Sequence, residues 1–276
     1  QTLLPNLEIT SSKPKWMEGK ELDIYLPEYD LAIEYNGTIF HHSSNSSNHF
    51  INSMKKDKYY HFNKWKLCFE NNVKLLSIYD FYWQNPIKQN IYKAKIRHYL
   101  NLDTKIFARK CKIVEVPNCE AYSFYNNNHL ECAGMNYKEA QSYSLEFNNV
   151  RYMYFTIGKF YKQSSKSFVY KLHRICTLLN YTVVGGLSKC KKFLYNKYGD
   201  FKYQLTLSSG GSTLKTFNFN LLEPRYFWVS SKNISIYYHR NYCQKQLLEK
   251  HFKEPLLSTD TESTYMEKLD FLKVYD

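Results

Sequence analysis

Four oxygen-bearing side chains fall at alternate positions around a short break: Glu21 and Asp23 before Pro27-Glu28-Tyr29-Asp30, and Glu34 and Asn36 after it. Carboxylates brought face to face repel one another, and a shared divalent cation relieves that repulsion. Carboxylate and water oxygens suit Mg²⁺ or Mn²⁺, which polarise a phosphodiester and lower the pKa of the attacking water. Gly37-Thr38-Ile39-Phe40-His41-His42 follows directly, so two imidazoles lie within reach of the acids. A neutral imidazole near pH 7 accepts a proton or binds a metal. The competing reading is a solvated polar face on an edge hairpin. His49 and His61 are isolated and read as ordinary surface or core residues.

The chemistry requires elements that put these residues on one face. Glu21 to Leu26 and Leu31 to Asn36 alternate, and the residues between them have turn chemistry, which predicts a β-hairpin with a four-residue loop. If that loop closes the hairpin, Leu26 faces Leu31, so Asp23 faces Glu34 and Glu21 faces Asn36. Alternation then collects Glu21, Asp23, Glu34 and Asn36 on one face and Leu22, Ile24, Leu26, Leu31 and Ile33 on the other, the core side. The stretch from Ser43 to Asn48 reads as a loop. Ser53 to Asn71 has helical spacing, with Tyr60, Trp65, Leu67 and Cys68 as candidate core. Val73 to Tyr79 reads as a buried strand, and Pro86 starts a basic helix running to about Leu100.

Glu21-Leu22-Asp23-Ile24-Tyr25-Leu26-Pro27, Leu31-Ala32-Ile33-Glu34-Tyr35-Asn36-Gly37 and Phe40-His41 together resemble the core of the PD-(D/E)XK nucleases. The branch they resemble contains the very-short-patch-repair enzymes and phage homing endonucleases. Asp57, the Lys64 to Glu70 segment and Lys74-Leu75-Leu76-Ser77-Ile78-Tyr79-Asp80 continue the likeness, which covers roughly residues 20 to 85. The resemblance implies that Asp23 and Glu34 hold the metal, that His41 stands where this branch keeps its catalytic histidine, and that Asp57 is a further acidic member. Asn36 departs from the general pattern by occupying the position of the motif lysine. That leaves open whether His41, His42, Lys55 or Lys56 orients the water.

A second pattern begins near Lys105, after an Asn101-Leu102-Asp103 turn. Strands are expected at Lys105 to Val116, Phe168 to Cys176, Phe201 to Leu207, Arg225 to Ser230 and Ile234 to His239. Ser142 to Gly158 reads as a hairpin turned at Asn148-Asn149. Helices are expected at Asn118 to Asn128, Ser188 to Tyr198 and, briefly, Ser212 to Phe217. This order resembles the GNAT acyltransferase fold, and Leu172 with Arg174, followed by Val183-Val184-Gly185-Gly186 and Ser188, is similar to that family's pyrophosphate-cradling turn. Glycines let backbone N–H groups approach phosphate at a helix N-terminus; Gly-Gly before a helix is also an ordinary turn. Comparable halves in phage homing endonucleases resemble the Mom type of DNA-modifying acyltransferase. A module that grips DNA is preferred to a working acyl-CoA enzyme, because no general base stands out beyond His129 or Glu131. Lys189 and the scarce Arg174, Arg225 and Arg240 are candidate phosphate or DNA contacts, since a guanidinium binds phosphate or guanine bidentately.

The 276 residues suit two α/β domains, expected at 1–103 for the nuclease and 104–276 for the GNAT-like module. A net charge of +13 favours a polyanionic partner, here double-stranded DNA. Only six of the 38 basic residues are Arg, and Asn, Tyr, Phe and Ile are abundant, so part of the lysine excess is the signature of AT-rich coding. Seven scattered cysteines without a C-x-x-C pair suggest neither a disulfide framework nor a zinc ribbon. No apolar run approaches the ~20 residues needed to span a bilayer, and a soluble protein of the cytoplasm is expected. The sequence thus predicts a Mg²⁺- or Mn²⁺-dependent homing-type endonuclease. The alternatives are an acyl-CoA-dependent DNA-modifying acyltransferase and a catalytically degenerate DNA-binding protein.

Overall fold

In the computed structural model, which describes residues 11–132, 139–161, 168–203 and 224–275, the expected hairpin is present. It consists of β1 (Ile24–Leu26) and β2 (Leu31–Asn36), with Leu26 opposite Leu31 and Ile24 opposite Ile33. Asp30 closes the turn at φ +48, a left-handed conformation that Asp tolerates better than most residues. The first strand is shorter than the alternation suggests. Leu22 bridges to Ser12 instead, and its side chain packs with Met17, Ala32 and Cys68, on the Ala32 side of the hairpin rather than with the predicted core face.

The predicted Ser53–Asn71 helix forms only as α2 (Tyr60–Glu70), and a separate short helix, α1 (His49–Ser53), ends where it was expected to begin. Asn48 caps α1, its side chain accepting the N–H groups of Phe50 and Ile51. β3 (Lys74–Tyr79) runs parallel to β2, with Glu34 opposite Ser77 and Asn36 opposite Tyr79. β2 is therefore the middle strand of three, and all of its residues but Tyr35 are buried. The Glu34 face of the hairpin is covered by α2, whose buried residues His61, Lys64 and Cys68 recur at helical spacing, so the competing reading of a solvated edge face does not hold. The short α3 (Asp80–Trp83) follows β3, and α4 (Pro86–Tyr99) forms as predicted.

The expected strand from Lys105 to Val116 is broken by a turn at Ala108–Lys110 into β4 (Thr104–Phe107) and β5 (Lys112–Val116). α5 (Asn118–Asn128), β6 (Gln141–Phe147), β7 (Val150–Tyr161) and β8 (Phe168–Thr177) follow. Asn148 and Asn149 both have positive φ, as a two-residue hairpin turn requires. β9 (Tyr181–Val184), absent from the sequence reading, pairs in parallel with β4. α6 (Gly186–Tyr198) then leads to β10 (Phe201–Tyr203), which joins β8 in parallel at the edge of a five-stranded sheet ordered β10-β8-β7-β6-β5. Tyr143, Leu145, Phe155, Ile157 and Leu194 form its core. The predicted Ser212–Phe217 helix lies outside the described residues.

β11 (Tyr226–Ser230) and β12 (Tyr237–His239) were expected to complete that half. They instead form a separate sheet with β13 (Phe271–Tyr275), β11 lying in the middle, after α7 (Leu248–Phe252) and α8 (Glu262–Lys268). Trp228, Tyr265 and Met266 are the centre of its core. The chain divides into one unit of residues 1–86 and 206–276 and a second of residues 87–205. This partition differs from a single cut at residue 103, because both ends of the chain enter the first unit. Both units are mixed α/β. Among the described residues, no helix is long and apolar enough to cross a membrane.

Candidate active site in the first unit

One step beyond Ile24 and Ile33, the hairpin brings Asp23 and Glu34 together, and each carboxylate accepts a backbone N–H from the opposite strand. Asp23 N donates to Glu34 Oε1 at 3.1 Å, and Tyr35 N donates to Asp23 Oδ2 at 2.7 Å. Asp23 is exposed, whereas Glu34 is only 3% exposed. Burial pushes the Glu34 carboxyl above its ordinary range; the Lys64 ammonium opposes that rise and the Asp23 charge adds to it. Lys64 reaches in from the buried face of α2 and donates to Glu34 Oε2 as an ion pair, both side chains being almost wholly enclosed. Asn36 gives the strand no ammonium; the neighbouring helix brings one, Lys64, to Glu34.

His41 follows a 3-10 turn, Thr38–Phe40. That turn is pinned by Asp80 at the start of α3, which accepts Thr38 N at 2.7 Å and Thr38 Oγ1 at 2.6 Å. The His41 ring lies 5.0 Å from that of His61 on α2, and His61 meets Tyr79 of β3 edge-on at 5.9 Å. Burial lowers the His41 pKa to about 4, reinforced by Lys56 and Lys64 and opposed by Asp23. Burial, then His41 and Lys64, lowers that of His61 to about 3. Both rings are neutral near pH 7. His41 Nδ1, His61 Nε2 and both amide atoms of Asn36 are buried without a hydrogen-bond partner. A buried polar atom left unpaired costs about 1 to 3 kcal/mol, so these atoms mark a place prepared for something polar.

A divalent cation fits this donor set. Asp23, Glu34 and the unpartnered Asn36 Oδ1 are hard oxygen donors on neighbouring strands, and Mg²⁺ is commonly held by one or two carboxylates with water and substrate phosphate. Among the described residues no three His, Cys, Asp or Glu side chains form a ready metal cage. An ion here would therefore complete its shell from water and phosphate.

Lys56 acts on the His41 ring through its charge; the other predicted residues lie elsewhere. Glu21 is exposed and paired with Lys13 at 3.2 Å. Asp57 accepts Tyr59 N at 2.8 Å, shaping the turn before α2. His42 is buried, with Nε2 at 2.9 Å from Ile51 O, and acts as a loop anchor. Lys55 donates to Asn45 Oδ1 at 2.8 Å, and Lys56 lies over the Tyr60 ring at 5.4 Å. Arg240 stands 5.4 Å over Tyr226, and Arg225 immediately precedes β11. In the second unit, Arg174 Nη2 donates to Glu131 O at 3.5 Å, while its Nε is buried without a partner.

Gly185 opens α6 at φ +77. A Cβ on Gly186 would meet Met153 Sδ and Val183 Cγ1 at 2.9 Å each, so packing alone accounts for that glycine. Ser188 is exposed. Lys189 donates to Ala108 O at 2.9 Å and to Cys111 O, tying down the turn between β4 and β5.

The sequence reading gave Lys64 and Asp80 no role at the site and took His61 for an ordinary surface or core residue. The one legible signal for Lys64 and His61 was their spacing with Cys68 along one helical face. No family model, characterised protein or solved structure matches the chain.

Proposed function

We propose that the first unit is a metal-dependent DNA endonuclease, of the homing type that its hairpin resembles, with Asp23 and Glu34 at its centre. The observation that carries this reading is the meeting of the two carboxylates with Lys64, with the neutral His41 under the electrostatic influence of Asp23 and Lys64 and the unpartnered Asn36 two residues along the strand from Glu34. Mg²⁺ or Mn²⁺ held by Asp23 and Glu34 would supply charge neutralisation at phosphorus and a more acidic water. The residues of the chain supply the rest. Asp23, exposed at the rim, faces incoming phosphate; Lys64 ion-pairs with Glu34 in its buried position and opposes the rise that burial imposes on its carboxyl. Neutral His41, with a free Nδ1, accepts the proton of the attacking water, and the His61 ring packs beside it. The net charge of +13 supports double-stranded DNA as the partner.

We read the second unit as a GNAT-like module that contacts DNA rather than transferring an acyl group from acyl-CoA. The structural roles of Gly186 and Lys189 support that preference. One observation favours a second reading, a DNA-binding protein without catalysis: Lys64 already supplies a counter-charge to Glu34. Incubation with supercoiled plasmid separates the two. The nuclease reading predicts Mg²⁺-dependent nicking or cutting, abolished by chelation and by Asp23→Ala or Glu34→Ala, and strongly reduced by Lys64→Met. Plasmid left intact by the wild-type protein across DNA substrates would leave the non-catalytic reading standing.

A further inference from the structure

The loop after His42 and the C-terminal α8–β13 segment border an open concavity of about 620 Å³ in the first unit, lined by Lys55, Lys56, Lys58 and Lys273 against Asp57 and Glu267. Its two carboxylates are engaged by the backbone: Asp57 accepts Tyr59 N and Glu267 accepts Asn45 N, each at 2.8 Å. The four ammonium groups therefore outnumber acids that are already held. The wall is built before any ligand arrives. Ser43 N donates to Lys273 O at 2.8 Å, Lys273 N donates to Ser44 Oγ at 2.6 Å, and His42 bridges to Val274.

Lys273 is half-buried over the Tyr226 ring at 4.0 Å, and burial lowers its pKa; a phosphate beside it would restore favourable charge. The concavity also adjoins the carboxylate site. Lys56 N donates to His42 O at 2.7 Å, and the Lys56 charge acts on both His41 and His61.

We propose that this lysine-lined groove binds the phosphodiester backbone of duplex DNA next to the bond that is cut, so that the C-terminal segment completes the substrate site of the N-terminal hairpin. The proposal rests on the endonuclease reading of the first unit. Lysines on a curved wall with serine hydroxyls between them suit sequence-independent phosphate contact: an ammonium is a point charge that accepts many phosphate positions.

The test is fluorescence anisotropy of a labelled duplex of arbitrary sequence, with chelator present to prevent cleavage, across a salt series. Each phosphate contact contributes about 0.9 to the slope of log K against log salt. Lys55→Gln/Lys58→Gln, two exposed positions, is expected to reduce the slope by about two and weaken binding equally on unrelated sequences. Lys273→Gln is expected to reduce it by about one. Wild-type slope and affinity in the exposed-site double variant would overturn the groove. The two readings fail separately: wild-type cleavage with unaltered binding in the double variant removes the groove alone, and groove-dependent binding without cleavage removes the nuclease alone.

Discussion

Glu34 sits where two demands conflict, since a carboxylate loses hydration on burial and a nearby Asp23 disfavours its charge further. Lys64 opposes both, and the neutral rings of His41 and His61 lie 5.0 Å apart beside it. The histidines make the unit sensitive to acid. Their folded pKa values lie near 4 and 3, below the ordinary 6.5 of an unfolded chain. Between those limits the unfolded state binds more protons, so stability is complete above about 6.5 and falls as pH drops towards 4, each ring contributing about 1.4 kcal/mol per pH unit. The raised Glu34 carboxyl works in the opposite sense above its ordinary 4.5. Urea denaturation between pH 7 and 5 is expected to show falling stability, with a shallower slope in His61→Phe; identical slopes in the two proteins would contradict neutral burial of His61. Asp23, Glu34 and His41 were legible because their strand and turn have local signals. Lys64 and His61 were not, because polar residues on a buried helical face look like a solvated one until the opposing strand is known.

Elements show the same division between local and distant causes. The hairpin was readable because its loop length and apolar alternation fix the register from within some twenty residues, and the Asn148-Asn149 turn was readable for the same reason. β9 escaped notice because its four residues gain their strand identity only by pairing with β4, some 77 positions earlier (Thr104 with Tyr181). The Gly185-Gly186 pair illustrates how a motif reading and a packing reading part. With Met153 Sδ and Val183 Cγ1 at 2.9 Å from the missing Cβ, Gly186→Ala is expected to destabilise the second unit by about 1 to 3 kcal/mol, the usual range for overpacking. Thermal denaturation would show this without any ligand. An unchanged melting temperature would return the glycine to a ligand-cradling role.

At the scale of the whole molecule, the first unit is assembled from both ends of the chain. Phe81 and Tyr82, both buried, pack against Phe227 of β11 at 5.6 and 5.7 Å and against Tyr237 of β12 at 5.0 and 5.5 Å. Lys273 and Val274 fasten the loop after His41. No periodicity within residues 1–103 encodes that debt to residues 226–275, which is why the sequence suggested a self-sufficient N-terminal domain. A fragment of residues 1–103 is therefore expected to expose Phe81 and Tyr82, bind a hydrophobic dye and melt without a cooperative transition. A sharp, dye-free transition in that fragment would show that the C-terminal strands are dispensable for its folding.

Joint action of Asp23 and Glu34 on a phosphodiester would set the rate of plasmid cleavage under single-turnover conditions. At saturating Mg²⁺, Asp23→Asn, which keeps the size of the side chain and removes its charge, is expected to be at least about 100-fold slower than wild type while retaining its melting transition, in line with loss of a major electrostatic contribution to catalysis. Equal rates for the two proteins would show that the Asp23 charge takes no part in cleavage.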